Sequence, residues 1–153
     1  GDVYKRQEHA LYESVENHPH AFKGFIDGVI KCKGKRGEDL YWIIDWKTSA
    51  NGWRREKRSD EMTKAQLGLY KNFWHKKNPQ VPFKDIRCAF VILKKSAKAG
   101  QHCELFTVSL GEVPINRSLK VVSSMITSVK RGMALKNRNS CTYCEYRDTQ
   151  HCT

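Results

Sequence analysis

LYWIIDWKTS, residues 40–49, is an apolar run that ends in charge. Leu40, Tyr41, Trp42, Ile43 and Ile44 read as a buried strand, and ionised groups at its end are costly unless they are paired or hold a metal. Asp45 and Lys47 stand there, two residues apart, and on a strand they project from one face. The same pair would also fit an ordinary surface ion pair, so its meaning depends on what lies around it.

Upstream, FKGFIDGVIK at residues 22–31 reads as a second strand, and the Gly-rich, charged CKGKRGED between the two suits a hairpin turn. Such a hairpin sets Asp27 beside Asp45 and Lys47. Two carboxylates are hard oxygen ligands suited to Mg²⁺ or Mn²⁺, which keep waters and take up phosphate oxygens. The lysine then orients or activates an attacking water, or stabilises charge on a phosphate. Metal-assisted phosphodiester hydrolysis is the chemistry this grouping implies.

Further strands are expected at residues 10–16, 86–94 and 103–110. A helix over residues 59–78 is opened by Ser59 or Asp60 and stopped by Pro79, with Met62, Leu69 and Phe73 as its buried stripe. Gln66 and Tyr70, four apart, share a face of that helix. A second helix is expected after Pro114, where Ile115, Leu119, Val122, Ile126, Val129 and Met133 alternate in steps of four and three along one side, the core side.

The chain has 153 residues, enough for one domain, and its net charge of +12, from 28 Lys plus Arg against 16 Asp plus Glu, favours a polyanionic partner such as nucleic acid over the alternative of a solubilising surface. No apolar run approaches the roughly 18–20 residues of a membrane-spanning helix. Residues 53–58, WRREKR, lie between the Asp45 strand and the Gln66 helix, so Arg54, Arg55, Lys57 and Arg58 are placed to hold DNA phosphates and Trp53 to stack a base. Residues 94–98, KKSAK, read as a solvated face. Residues 1–7, GDVYKRQ, fit the codons of a transposase adaptor used in sequencing libraries; they are set aside as an adaptor-derived scar, and the natural N-terminus is expected to be lost.

In this order and spacing, GFIDGVI, IIDWKTS and QLGLY resemble the G-x-x-D, D-x-K and Q-x-x-x-Y signatures of RecB-type PD-(D/E)XK nucleases. The resemblance implies an α/β restriction-endonuclease-like core, a central mixed sheet flanked by helices, over residues 8–136, with its first helix missing. It makes Asp27 and Asp45 the metal ligands, helped by the backbone carbonyl of Trp46, Lys47 the catalytic lysine, and Gln66 and Tyr70 the helix-borne site residues. Glu16 or His20 could replace an upstream acidic residue or histidine that members of the family carry.

Cys141, Cys144 and Cys152 in the polar tail, residues 137–153, are similar to the C-terminal cysteines of iron–sulfur nucleases of this branch, AddB-like and CRISPR adaptation nucleases. Thiolates suit a [4Fe-4S] cluster or zinc. The fourth ligand is either a lost N-terminal cysteine, Cys32 or, for zinc, His151. Implied as a whole is a cytoplasmic, Mg²⁺- or Mn²⁺-dependent deoxyribonuclease acting on DNA ends in bacterial or phage recombination, repair or CRISPR adaptation, with room for a helicase partner. A non-catalytic DNA-binding subunit with a structural metal is the alternative.

Overall fold

The computed structural model describes residues 4–15, 18–133, 141–142 and 144–152. Five strands, β1 (Tyr4–Ser14), β2 (Ala21–Lys33), β3 (Asp39–Ser49), β4 (Ile86–Lys94) and β5 (Cys103–Val108), form one sheet in the order β1-β2-β3-β4-β5. Only β3 and β4 run parallel; the other neighbours are antiparallel. Parallel neighbours need a long crossover. Here it carries a short helix α1 (Arg55–Ser59), the helix α2 (Glu61–Lys77) and a 3-10 turn (Phe83–Asp85). A last helix, α3 (Glu112–Lys130), packs on α2. The mixed sheet with its helices is the α/β architecture expected.

Because Ile43 and Ile44 are consecutive, they face opposite sides of the sheet. Ile43 joins Val29, Ile86, Cys88, Phe90 and Ile92 beneath α2, whereas Ile44 joins Ala89 and Val91 in a smaller cluster on the other face. The β2–β3 hairpin closes through Gly34 N–H to Glu38 O at 2.7 Å, and Gly37 adopts φ +82°, a conformation that favours glycine. Strand β2 departs from strict alternation. Ile26 and Val29, three apart, both enter the cluster beneath α2, so the phase of the strand shifts between them. The β1–β2 register omits the pair Glu8–Asp27 at this point, and Glu8 has φ +50°.

Several boundaries differ from the sequence expectation. Strand β1 begins at Tyr4, so the backbone of residues 4–7 pairs with residues 28–31, although these side chains had been set aside. Backbone pairing asks little of side-chain identity. Glu16 lies outside the described residues. Asp60 caps α2 as expected, its carboxylate accepting the Met62 N–H at 3.1 Å, while the short α1 just before it was not foreseen. Helix α3 starts at Glu112, before Pro114, which the first turn of a helix tolerates.

The expected stripe on α2 also shifts. Met62 is 65 % exposed and Leu69 only partly buried, while Leu67, Tyr70, Phe73 and Trp74 are buried. A helix covered by a sheet below and α3 above buries more than one stripe. On α3, Ile115 and Ile126 are buried, but Val129 is exposed, and so is Met133, which lies past the end of the helix. Phe73→Ala should therefore cost about 3–5 kcal/mol, since it removes a ring stacked on Phe22 at 4.6 Å, whereas Met62→Ala should stay within about 0.5 kcal/mol. Urea unfolding of the two variants checks the assignment; equal losses would contradict it.

Candidate active site

Flanked by β2 and β4, strand β3 is interior, and Asp45 on it is 2 % exposed. Continuing the Gly28–Ile44 register by one residue sets Asp27 opposite Asp45, and opposite residues share a face. The Trp46 N–H donates to Asp27 Oδ2 at 2.8 Å and fixes that carboxylate across the strand pair. Lys47 Nζ lies 2.7 Å from Asp45 Oδ2. Their contact is one of charge: alignment is poor, and the buried Oδ2 accepts no hydrogen bond. Burial pushes the Asp45 carboxyl above the usual carboxylate range; Lys47 opposes the shift and the charge of Asp27 adds to it.

Helix α2 supplies the next layer. Lys47 Nζ donates to Gln66 Oε1 at 3.3 Å, and Gln66 Nε2 donates to the Tyr70 hydroxyl at 3.1 Å. Asp45, Lys47, Gln66 and Tyr70 thus form one continuous polar chain from sheet to helix. Three residues of α2, at 70, 73 and 77, face β1 and β2: Tyr70 and Phe73 meet Phe22, and Lys77 pairs with Glu13 at 2.8 Å. This approach depends on Gly24. A Cβ there would lie 2.8 Å from Tyr70 Cε1 and 3.0 Å from Phe22 Cε1, too close for either ring to remain in place. Gly24 was read only as part of a pattern with Asp27; no local signal marks it as the seat of Tyr70, because the contact joins residues 46 positions apart.

The remaining candidates are arranged differently. Trp53 packs against Phe90 at 4.9 Å and Phe106 at 6.1 Å, with Lys57 5.8 Å above its ring, so its indole is engaged within the protein rather than presented to a base. Arg58 donates to the Trp53 carbonyl at 2.9 Å and pairs with Glu104, which also faces Lys94 at 3.8 Å. Lys57 contacts Thr63 and Asp60. Arg54 and Arg55 are exposed at the start of α1. His20 is exposed in the β1–β2 turn, seven residues from Asp27, or roughly 20 Å of extended strand.

Cys141, Cys144 and Cys152 are free and lie on one run of turns, with Cys144 N–H donating to Cys141 O at 3.3 Å. His151 stacks edge-on against Tyr146, and Cys32 belongs to β2 opposite Leu40. Among the described residues no three His, Cys, Asp or Glu side chains come together as a metal site. The cysteines are therefore not assembled around a cluster here. Two carboxylates are nonetheless what Mg²⁺ commonly takes from a protein, the other positions going to water and phosphate. Asp27 and Asp45 fit that requirement, since Asp45 is buried with a second carboxylate near it and one ammonium for countercharge, so positive charge at this point is favourable. Among the described residues no helix is long and apolar enough to cross a membrane.

Two outcomes are expected. Gly24→Ala should lower stability by about 1–3 kcal/mol through overpacking against Tyr70 and Phe22, read by urea unfolding. Asp45 binds protons more tightly folded than unfolded, so metal-free stability should fall as pH rises from about 4 through its raised value. Asp45→Asn should remove that fall and also the rise in melting temperature on adding Mg²⁺; a variant that keeps the wild-type pH slope and Mg²⁺ response would refute the assignment.

No curated protein matches the chain. Among solved structures, the crystal structure of SSO0001 is similar, with a TM-score of 0.53 at 15 % identity over 93 % of this chain, which shows the shared fold; this chain spans 58 % of that one. The family model of the PD-(D/E)XK nuclease superfamily matches residues 3–149. That stretch holds the whole sheet, α2 and the Asp27–Asp45–Lys47 group, and the chain belongs to the PD-(D/E)XK nuclease superfamily.

Proposed function

We propose that this protein hydrolyses DNA phosphodiester bonds with Mg²⁺ or Mn²⁺ at Asp27, Asp45 and Lys47. Members of the superfamily are generally metal-dependent nucleases. The observation that carries the reading is the continuous chain from buried Asp45 through Lys47 and Gln66 to Tyr70, with Asp27 opposite. Asp27 and Asp45 would hold the cation, together with the Trp46 carbonyl. When bound, it supplies positive charge to the scissile phosphate.

The protein's own groups do the rest. An ammonium has three donors. One reaches Gln66 and one faces Asp45, which leaves Lys47 a third for a phosphate oxygen or the attacking water. Gln66, itself tied to Tyr70, limits where that third donor can point. The net charge of +12 and the exposed Arg54 and Arg55 beside β3 support a DNA substrate. The ordered motifs further support a place in the RecB-type branch and action on DNA ends.

Lys47→Ala should lower kcat by about 10²–10³ or more while DNA binding persists, as expected for loss of a transition-state donor. Cleavage in EDTA, or by the variant at the wild-type rate, would refute the proposal. Replacing Arg54 and Arg55 by Ala should flatten the slope of log affinity against log salt by roughly 0.7–0.9 per lost phosphate contact. Arg58→Ala should act mainly on stability, because its guanidinium is committed to Glu104 and Trp53.

The free Cys141, Cys144 and Cys152 support a second part of the proposal, an iron–sulfur cluster completed by a ligand beyond the described trio. Anaerobically purified full-length protein should be brown and contain iron and sulfide; a colourless full-length protein with zinc lost on His151→Ala would replace the cluster by zinc, and one with neither metal would overturn both.

A further inference from the structure

A cavity of about 1030 Å³ lies at the opposite end of β3 and β4 from Asp45 and shares no wall residue with the catalytic group. It exists because β5 is short. The last β4–β5 pair is Cys88–Val108, so Ile86 and Arg87 at the start of β4 have no β5 partner. Above this gap passes α2, which contributes Lys71 to the wall.

Lys71 is 6 % exposed. Its Nζ donates to the Leu110 carbonyl at 2.9 Å and lies 4.1 Å from the centre of the Phe83 ring. Those contacts supply no negative charge, and a buried ammonium without a counterion is costly. Its surroundings make matters worse: Lys35, Arg36, Lys84 and Arg87 share the wall with only Glu38 and Glu112. Among the described residues none of these five cations forms an ion pair. Burial lowers the pKa of Lys71, and the charge of Arg87 lowers it further, as expected where positive charge lacks compensation. At the same wall begins the 19-residue α3, whose N-cap, Gly111, offers no side chain to its free N–H groups.

We propose that this cavity is a second anion site, independent of the hydrolytic reading, which takes the phosphate of a nucleotide on Lys71, Lys84 and Arg87. Trp42, which pairs with Arg87 in the β3–β4 register on the sheet face away from α2, lines the same cavity where it wraps the open edge of β4, and it gives a nucleoside an apolar surface that a bare ion would not use. The phosphate can come from a free nucleotide or from a DNA strand leaving the sheet.

The test is a titration of the ¹⁵N-labelled protein in EDTA, followed by amide chemical shifts, with inorganic phosphate, dAMP and a short single-stranded DNA lacking terminal phosphates. Saturable shifts at Lys71, Arg87 and Gly111, with Asp27 and Asp45 unmoved by phosphate or dAMP, are expected. Response to phosphate or dAMP identifies a free ligand; response at these amides to the oligonucleotide alone identifies a strand. Lys84→Ala/Arg87→Ala, both at exposed positions, should weaken binding by about tenfold or more, and Lys71→Met should abolish it. No saturable shift at these amides with any of the three ligands, or unchanged affinity in the double variant, would overturn the site.

Discussion

Asp45 and Lys47 are held together at the end of an interior strand, and the site is organised around that contact. A carboxylate 2 % exposed in the middle of a sheet is a liability on its own. The fold tolerates it through one ammonium at 2.7 Å and leaves its oxygen without a hydrogen bond. Such a group is poor for stability and well suited to a cation. A buried, charged group of this kind is what a site that keeps charge ready for a ligand commonly presents.

The helix partner of that contact is fixed by shape as much as by polarity. Gln66 meets Lys47 on β3, and one turn further along the same helix the Tyr70 ring occupies the space left by the missing side chain of Gly24. Phe22 and Phe73 stack beside this point and set the spacing. Core packing and the orientation of the lysine are therefore one problem, solved by the same helix face. The shift of phase in β2 between Ile26 and Val29 belongs to it too, since it lets both apolar residues and Asp27 serve the α2 side of the sheet.

Electrostatics divides the molecule further. Among the cations of residues 53–58, Arg58 is committed to Glu104 and Lys57 to Asp60, so the strongly basic stretch presents fewer free charges than its composition implies. Lys94, in a run read as solvated surface, joins the same Glu104 group. Conversely Lys71, one lysine among many in the sequence, is buried where among the described residues no carboxylate pairs with it.

The sequence by itself determined the strands around Asp27 and Asp45, the hairpin between them and the helix carrying Gln66 and Tyr70. These features are local: an apolar run, a Gly-rich turn, a cap and a stop at Pro79 are written in neighbouring residues. Alternation within a strand likewise placed Asp45 and Lys47 on one face before any fold was known. What only the tertiary structure decided are the contacts between distant segments. Met62 is exposed and Leu67 buried because α3 and the sheet both cover α2, which periodicity along one helix cannot reveal. Trp53 turns inward because Phe90 and Phe106, from strands later in the chain, offer it apolar surface. Gly24 acquires its purpose from Tyr70, and Lys71 its isolation from Leu110 and Phe83, for the same reason: close approach and burial are properties of space, set only once the chain has folded.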